Sequence, residues 1–489
     1  MELFELLHGL EHEILSGENT RIDSLMIHSG QYSENAVFFA EKGVYFDGAD
    51  FIEQAVLSGA AAVCTNRSLD VYLDNICYFK VPDIMKAQSL MAVKLYGLNE
   101  GPPSKIAVTG TNGKTSVVMI ASEVFSALGA KAAYTGTLGT NIEGMSENLT
   151  DNTTFPPAVY AKIAVRAKEE EYRYLFSEVS SQGLSKGRVE GIVFDYSVFM
   201  NLTEDHLDYH NGMEDYYLAK KKLFSQTKKA VINISDSYGK RLYDELAALG
   251  AEAVSFSYKG EPADFMLSRI ELKPASTCFR LSFGEGEADF CVPIIGEHNA
   301  LNTAAVIIAA LLEGFSSELI SEAVSSLSPV RGRLELISSS NVYLDYAHTP
   351  DALLKAVSTI KSVTGRELTV VFGCGGDRDP YKREEMGKIA GRYADFAVVT
   401  NDNPRNENPN EIISQIVRGI ESDNYIVIPD RKKAIKYAVG HASDSSCVLI
   451  AGKGHEEYII IGNKKMPFSD RDCVNAALSS RDKASAEEK

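Results

Sequence analysis

The stretch from Lys105 to Ser116 constrains the fold of this chain more than any other. It opens with a β-branched apolar run, Ile106–Thr109, which is typical of a buried strand in a parallel sheet. Gly110–Gly113 then predicts a tight loop, and an apolar-periodic helix begins at Thr115. A strand, a glycine loop and a helix N-terminus in this order direct free backbone N–H groups and a positive dipole end at one phosphate. The stretch therefore predicts a nucleotide phosphate site.

The loop is shorter than in the common G-x-x-x-x-G-K-[ST] pattern, and Val108 occupies the position of that pattern's first glycine. Lys114 can still reach terminal phosphates, and the Thr115 hydroxyl can hold Mg²⁺. A glycine turn with a solvated lysine is the alternative, but the flanking strand and helix favour ATP. The predicted ATP-binding residues of this segment are Gly110, Thr111, Asn112, Gly113, Lys114, Thr115 and Ser116.

Composition limits the class of protein. A chain of 489 residues is too long for one core, and its 45% hydrophobic and 24% charged residues are ordinary for a globular protein. It contains neither an 18-residue apolar run nor a basic N-terminal leader, so we expect a cytoplasmic protein without membrane insertion. The net charge of −18 argues against nucleic-acid binding. Seven cysteines without a C-x-x-C pair predict reduced thiols.

The rhythm of strand and helix patterns predicts an α/β fold with three domains. The Gly- and Pro-rich linker 97–104 suggests a first boundary, giving an N-terminal α/β domain at 1–98. A central parallel-sheet domain would occupy 99–328. It would contain the predicted phosphate-binding loop from Gly110 to Thr115 (the phosphate loop) and an antiparallel patch at 265–293. A Rossmann-like α/β domain would occupy 329–489.

Unusual polar sequences follow strand candidates of the third domain, and they are Asp345–His348, Gly373–Arg378, Asn401–Arg405 and Ala451–Glu456. Ligands of open parallel sheets collect at the carboxyl ends of strands, so these loops are predicted to be functional.

Three more segments carry candidate metal or catalytic groups. Glu178 ends a strand candidate, where a carboxylate can bind Mg²⁺, although a solvated loop glutamate is possible. His206 and His210 are four residues apart and would share one face of a helix, although a lone histidine is at least as often structural. The segment 219–223 alone is typical of a solvated basic helix face.

Taken in order, these segments resemble the Mur ligases, which join an amino acid to a nucleotide-linked peptide precursor of the bacterial cell wall. The resemblance covers nearly the whole chain and is carried by Thr109–Thr115, Glu178–Ser181, Asn201–Asp208, Asn299–Asn302, Gly332–Arg333 and Asp345–His348. It is strongest to members that add the third peptide residue, through Gly373–Arg378, Asp402–Arg405, Gly452–Glu456 and Ser469–Arg471.

The resemblance implies an ATP-dependent amide ligase that activates its acceptor as an acyl phosphate. The catalytic residues it implies are Lys114, Glu178, His206 and Lys220. Mg²⁺ would be bound by Thr115, Glu178, His206 and Lys220, the last as a CO₂-derived carbamate (N6-carboxylysine). Further ATP contacts are implied for Asn299, Asn302, Arg333, Asp345 and His348.

The resemblance also implies the two other substrates. The acceptor would be UDP-N-acetylmuramoyl-L-alanyl-D-glutamate, contacted by Ser29, Thr153, Thr154, Ser180 and Arg188. The amino acid would be meso-2,6-diaminopimelate, contacted by Arg378, Asp402, Asn403, Pro404, Arg405, Gly452 and Glu456. A guanidinium can pair bidentately with the distal carboxylate that lysine lacks, which assigns this role to Arg405.

Several alternatives stay open at this point. The acceptor side departs from the family pattern at His28, Gly30, Gln182 and Lys186, which leaves open a paralogue with another acceptor. A lysine-adding ligase is a separate alternative. Folylpolyglutamate synthase shares the ATP core but lacks this N-terminal unit and the Asp402–Arg405 loop. A noncatalytic nucleotide-binding regulator on the same fold would be expected to lose Lys114, Glu178 or His206, and all are present. We expect a monomer.

Overall fold

The structure is a computed structural model of the chain. It describes residues 1–26, 28–43, 46–145, 152–207, 209–258, 260–273, 276–284, 286–328, 331–337, 340–443 and 445–487, with side chains through 481. Within these ranges the chain forms two compact units. The first comprises Met1–Gly110, Val117–Asn201 and Asp215–Ser255, and the second comprises Thr111–Ser116, Leu202–Glu214 and Phe256–Lys489.

The N-terminal part of the first unit is a sheet covered by short helices. Its strands follow the order β1-β5-β4-β3-β2, with β1 antiparallel to β5 and the other neighbours parallel. The elements are α1 (Leu3–Leu7), β1 (Glu13–Ser16), β2 (Ser24–Leu25), β3 (Ala36–Phe39), a 3₁₀ turn (Gly48–Phe51), α2 (Ile52–Leu57), β4 (Ala60–Thr65), β5 (Cys77–Lys80) and α3 (Ile84–Tyr96). Helix α3 is capped by Asp83 at its start and ends at Gly97, whose φ of 58° suits glycine.

The rest of the first unit is built on the predicted parallel sheet, in the order β12-β11-β10-β6-β9-β7-β8, in which the short edge strand β8 is antiparallel to β7. Its elements are β6 (Ser104–Thr109), α4 (Lys114–Ala127), β7 (Ala132–Gly136), β8 (Gly139–Thr140), α5 (Pro157–Glu169), β9 (Tyr174–Glu178), α6 (Ser181–Ser185), β10 (Phe194–Phe199), α7 (Met213–Lys221), a 3₁₀ turn (Lys222–Gln226), β11 (Thr227–Asn233), α8 (Ser237–Ala248) and β12 (Glu252–Ser257). Strand β6 pairs in parallel with both β10 and β9, so the glycine loop leaves an interior strand at its carboxyl end.

The antiparallel patch predicted at 265–293 is confirmed. It consists of β13 (Phe265–Lys273), β14 (Ser276–Phe283) and β15 (Gly286–Val292), and it is followed by helices α9 (Glu297–Leu312) and α10 (Ser317–Ser325). The expectation of uniformly reduced thiols is wrong here, because Cys278 and Cys291 face each other in the β14–β15 register and form a disulfide. The free thiols are Cys64, Cys77, Cys374, Cys447 and Cys473.

The C-terminal region is a sheet in the order β16-β17-β21-β18-β19-β20, with helices packed on both faces. Its elements are β16 (Glu335–Leu336), β17 (Val342–Asp345), α11 (Pro350–Thr364), β18 (Glu367–Phe372), α12 (Tyr381–Tyr393), β19 (Phe396–Val399), α13 (Pro409–Arg418), β20 (Tyr425–Val427), α14 (Arg431–His441), β21 (Ser446–Ala451), β22 (Tyr458–Ile461), β23 (Lys464–Pro467) and α15 (Asp470–Glu487). Alternate residues of β18 enter opposite cores, Val370 and Phe372 on one face and Val371 on the other.

Strands β17, β21, β18, β19 and β20 run parallel, so their carboxyl ends share one edge of the sheet. The polar loops that begin at Asp345, Gly373, Asn401 and Ala451 therefore leave the same edge, as predicted. In the described part of the chain, no helix is both long enough and apolar enough to cross a membrane.

Candidate active site

The phosphate loop has the backbone that its glycines predict. Gly113 has a φ of +94°, and a Cβ atom built there would lie 2.5 Å from Asn302 Oδ1. The loop therefore needs glycine for both its conformation and its approach to α9. Lys114 Nζ donates to Thr111 O at 2.9 Å, so the ammonium is held within the loop. Thr111 also exchanges hydrogen bonds with the Thr203 backbone, which fixes the segment after β10 against the loop.

Two buried asparagines lie beside this loop at the start of α9. Asn299 Nδ2 donates to Ile295 O at 2.9 Å, and Asn302 Nδ2 donates to Asn299 Oδ1 at 3.2 Å. On the other side of the loop, Asn112 Nδ2 donates to Asp351 Oδ2 at 3.3 Å, near the start of α11. Of the predicted ATP contacts, the structure thus brings Asn299 and Asn302 to the phosphate loop.

The remaining predicted ATP contacts lie at the end of β17. Asp345 accepts from the backbone N–H groups of Leu334 and Ala347, and burial raises the pKa of its carboxyl. The Arg333 guanidinium lies 4.8 Å from the centre of the Tyr346 ring. Its Nε is buried and has no hydrogen-bond partner among the described residues. An arginine in this state suits a polyanionic ligand such as ATP.

His348 is neutral at physiological pH. Burial, followed by the charge of Lys382, lowers the pKa of His348 to about 4. Its Nδ1 lies 2.9 Å from Tyr346 O and must donate to that carbonyl, which leaves Nε2 as an acceptor. His348 therefore offers a ligand a hydrogen-bond acceptor and no positive charge.

His206 and His210 do not share the face of a regular helix, because His206 has a φ of +54°, outside the helical region. The His206 side chain is 43% exposed, with Nε2 3.6 Å from Asp205 Oδ2, whereas His210 is buried. The two histidines differ in environment, and only His206 is open to a ligand.

Glu178 is a buried carboxylate at the end of β9, 2% exposed. Its Oε1 accepts from Thr137 N at 2.9 Å, and its Oε2 accepts from Thr137 Oγ1 at 3.2 Å. A Cβ atom at Gly136 would lie 2.2 Å from Oε1, so the carboxylate sits against bare backbone. Such an oxygen donor, fixed at a strand end, suits a hard cation.

Lys220 is buried, contrary to the solvated helix face that its segment suggests. Its side chain is 1% exposed, and Nζ donates to Gly110 O at 2.9 Å. The same nitrogen lies 4.7 Å from the centre of the Tyr216 ring. Helix α7 thus directs Lys220 to the first residue of the phosphate loop, while its neighbour Lys222 is exposed.

Glu245 on α8 fixes the end of the helix that carries Lys220. It accepts from Lys221 Nζ at 2.7 Å, from Tyr217 Oη at 2.6 Å and from Arg241 Nε at 2.8 Å. Burial opposes ionisation, but these hydrogen bonds outweigh it and lower the pKa of the Glu245 carboxyl to about 2.

Glu245→Gln is expected to destabilise the protein by about 1 kcal/mol at pH 7, because the ionised carboxylate is favoured in the folded state and partly screened by solvent. Since the folded pKa lies below the unfolded one, this stabilisation is lost as pH falls from about 5 towards 2. Urea unfolding of wild type and variant across this range measures the difference. Asp244→Asn, an exposed neighbour, serves as the control, and a pH-independent difference for Glu245→Gln would contradict the pKa assignment.

Four of the predicted acceptor residues form one hydrogen-bonded group. Ser180 N donates to Thr154 Oγ1 at 2.8 Å, and Arg188 Nη1 donates to Thr154 O at 2.7 Å. Thr153 joins through its Oγ1, which lies 3.1 Å from Thr137 Oγ1, the hydroxyl that donates to Glu178. Ser29 lies in the N-terminal sheet region, where it donates to Gln54 Oε1 at 3.2 Å.

The predicted amino-acid residues cluster at the carboxyl edge of the C-terminal sheet. Arg405 has a φ of +50° and donates from Nη1 to Gly376 O at 2.8 Å. Burial and then the charge of Arg378 lower the pKa of Arg405, whereas Asp402 and Glu456 act in the opposite direction. A Cβ atom at Gly452 would lie 2.6 Å from Asp402 Oδ2, so glycine is required there. These loops place acidic and basic groups side by side, as a zwitterionic ligand needs.

Among the described residues, no group of three or more His, Cys, Asp or Glu side chains could hold a metal ion. Mg²⁺ is usually bound by one or two protein carboxylates, with water and substrate phosphates completing the octahedron. The lone buried carboxylate of Glu178 fits that kind of site better than a protein-only cage.

Comparisons with known proteins agree with this geometry. Family models match residues 21–89 (Mur ligase family, catalytic domain), 108–310 (Mur ligase middle domain) and 332–454 (Mur ligase, glutamate ligase domain). A relative from Geobacillus thermodenitrificans, UDP-N-acetylmuramoyl-L-alanyl-D-glutamate--2,6-diaminopimelate ligase, is 40% identical over 95% of this chain and 96% of its own. The chain belongs to the Mur ligase family.

Solved structures place this Mur ligase in the same fold. A structure of UDP-N-acetylmuramoyl-L-alanyl-D-glutamate--2,6-diaminopimelate ligase matches with a TM-score of 0.66 at 31% identity, covering 94% of this chain and 95% of that one. The MurF ligase of Thermotoga maritima in complex with ADP matches with a TM-score of 0.67 over 94% and 97%, and its 19% identity shows the fold alone. The predicted three-domain α/β class is confirmed, and the protein is an ATP-dependent ligase.

Sequence reasoning missed residues that support the Mur ligase site without belonging to a motif. Arg383 on α12 is fully buried, pairs with Glu407 at 2.8 Å and donates to Gly375 O at 3.2 Å. Arg431 on α14 is also buried and pairs with Asp470 at 2.7 Å. Charged residues that lie inside apolar helix faces are the signal that could have revealed both.

Proposed function

We propose that this Mur ligase adds meso-2,6-diaminopimelate to UDP-N-acetylmuramoyl-L-alanyl-D-glutamate in peptidoglycan precursor synthesis. The observation that carries the proposal is the half-buried Arg405, held at Gly376 O beside the acidic groups of Asp402 and Glu456. Diaminopimelate presents a carboxylate and an ammonium at its distal end, and this arrangement offers a partner for each. The names of the relatives described above support the same substrates.

The proposed reaction proceeds through an acyl phosphate. The acceptor γ-carboxylate attacks the ATP γ-phosphate and releases ADP. The unprotonated amine of diaminopimelate then displaces phosphate through a tetrahedral intermediate and loses a proton, which leaves an amide. Negative charge gathers in both steps, so Lys114 and Arg333 contribute by electrostatic stabilisation and positioning. Thr115, Glu178, His206 and carbamylated Lys220 would hold Mg²⁺, which neutralises phosphate charge when bound.

The acceptor is assigned to Ser29, Thr153, Thr154, Ser180 and Arg188, with the UDP-sugar on the N-terminal domain. The hydrogen bonds among Thr154, Ser180 and Arg188 support a shared ligand site for that group. The proposal includes domain boundaries at 1–98, 99–328 and 329–489, and a cytoplasmic, monomeric enzyme.

The direct test is ATP-dependent phosphate release by the purified protein with Mg²⁺, UDP-N-acetylmuramoyl-L-alanyl-D-glutamate and either meso-diaminopimelate or L-lysine. Phosphate should appear with diaminopimelate and form the tripeptide product by mass spectrometry. Release with lysine in preference to diaminopimelate would favour the lysine-adding alternative. Release with neither would point to another acceptor or to a noncatalytic regulator.

Arg405→Ala is expected to lower kcat/KM for diaminopimelate by about 10²-fold, roughly 3 kcal/mol for a charge-assisted pair. The kcat/KM for lysine should change far less, because lysine has no distal carboxylate to pair with that guanidinium. The ratio of the two kcat/KM values in wild type and variant is the measurement. Arg418→Ala, on the surface-facing end of α13, is the matched control, and an unchanged ratio in Arg405→Ala would remove Arg405 as the selector.

A further inference from the structure

Lys453 is a fully buried lysine in the loop between β21 and β22, 0% exposed. Its ammonium donates to Asn403 Oδ1 at 2.8 Å, to Tyr458 O at 2.8 Å and to Glu456 Oε2 at 3.2 Å. Asp402 Oδ1 lies 4.0 Å from the same nitrogen. One cation therefore contacts Asn403 and Glu456 and lies beside Asp402, which belong to the proposed amino-acid site.

The hydrogen bonds of Asn403 fix the direction of its side-chain amide. Its Oδ1 accepts from Lys453 and also from Ile460 N at 3.0 Å, so Nδ2 must face the other way. That Nδ2 donates to Glu456 Oε2 at 2.9 Å. Lys453 and Asn403 thus converge on the same oxygen of Glu456. The other oxygen, Oε1, accepts only a long bond of 3.4 Å from Tyr346 Oη among the described contacts.

A buried ammonium is costly unless an anion and further acceptors compensate it, so an apolar side chain would be the cheaper filler for this position. A lysine is favoured at this position if its positive charge stabilises the neighbouring Glu456 carboxylate. We propose that Lys453 is a positioning residue for the amino-acid site, orienting Asn403 and keeping Glu456 ionised so that Oε1 can receive an ammonium group of the incoming diamino acid. This inference rests on the proposed function and deepens it.

The charges around Glu456 agree with that role. Burial raises the pKa of Glu456 and Asp402 adds to the rise, whereas Lys453 and the Asn403 hydrogen bond lower it. The other ionisable groups that interact with Glu456 are Tyr346, Arg405 and Arg431. Without Lys453, burial and Asp402 would act against ionisation with less opposition.

Lys453→Met removes the charge and keeps the length of the side chain. At pH 7 the KM for meso-diaminopimelate should rise about tenfold or more, while kcat and the KM for ATP change little. The excess in KM should shrink as pH rises towards 9, because Glu456 regains its charge there. A merely structural role would not produce this pH dependence. Lys465→Met, an exposed lysine on β23, is the control and should leave the KM unchanged.

A second readout needs no substrate. In protein with ¹³C-labelled glutamate carboxyls, the Glu456 signal is assigned by its disappearance in Glu456→Gln. Because the Lys453 charge lowers the pKa of Glu456, Lys453→Met should move the midpoint of the Glu456 titration upwards from its wild-type position. If Lys453→Met does not fold, Lys453→Gln, which retains donors without charge, replaces it in both measurements.

The outcomes separate the two proposals. An unchanged KM for diaminopimelate in Lys453→Met, or an unchanged midpoint of the Glu456 titration in that variant, would overturn the role of Lys453. If the wild-type enzyme releases no phosphate with diaminopimelate, the proposed amino-acid specificity fails. The titration of Glu456 with and without Lys453 then still decides whether Lys453 controls that carboxylate.

Discussion

Lys114→Ala should lower the rate of ligation by about 10³-fold, roughly 4 kcal/mol of transition-state stabilisation. The structure explains why the loss should fall on catalysis. Lys114 Nζ donates to Thr111 O within its own loop, so a phosphate oxygen can replace that carbonyl without rearranging the backbone. The loop conformation depends on Gly113 and its approach to Asn302, neither of which the substitution alters.

The measurement is phosphate release at saturating substrates, together with thermal unfolding of the same samples. Removal of a hydrogen bond to a carbonyl costs on the order of 1 kcal/mol, so the variant should remain folded. Lys388→Ala, an exposed lysine on α12, is the control for loss of a surface charge. A folded Lys114→Ala protein with most of its activity would refute the assignment of this loop to ATP chemistry.

Local patterns predicted the phosphate loop and the sheet edges because their causes are local. A strand, two glycines and a helix start determine the backbone from 106 to 116, and parallel strands necessarily end at one edge. The buried Lys220 could not be predicted in this way. Its environment comes from the packing of α7 against Gly110, more than a hundred residues earlier in sequence, and a run of lysines carries no sign of it.

The backbone at His206 and the disulfide escaped the sequence patterns for the same kind of reason. The spacing of His206 and His210 fits a helix, but the left-handed backbone at His206 interrupts it, and no pattern in the sequence marks that residue. The pairing of Cys278 with Cys291 follows from the register of β14 and β15, which sets the two residues opposite each other. Register and long-range packing are properties of the folded sheet, and residue spacing alone does not contain them.

Lys220→Ala should reduce ligation nearly as strongly as Lys114→Ala, by about 10³-fold, if Lys220 is a carbamate. The ammonium would first lose one proton, and the resulting amine would attack CO₂ and lose a second proton as the carbamate forms. This converts a buried cation into an anion able to bind Mg²⁺. The carbamate nitrogen retains one N–H, so the 2.9 Å bond to Gly110 O is compatible with both forms. Short-chain carboxylic acids should partly restore the variant, because they supply the missing anion.

The alternative is that Lys220 stays an ammonium, which lies over the face of the Tyr216 ring and only tethers the phosphate loop by its hydrogen bond to Gly110 O. In that case Lys220→Arg should keep much of the activity, and added carboxylic acids should do nothing for Lys220→Ala. Wild-type activity should also be insensitive to removal of CO₂, whereas a carbamate enzyme should lose activity in CO₂-depleted buffer and regain it with bicarbonate. Lys222→Ala, exposed on the following turn, should behave as wild type in each assay. Because the two mechanisms require opposite charges at the end of the Lys220 side chain, rescue by an added anion distinguishes them where loss of activity alone does not.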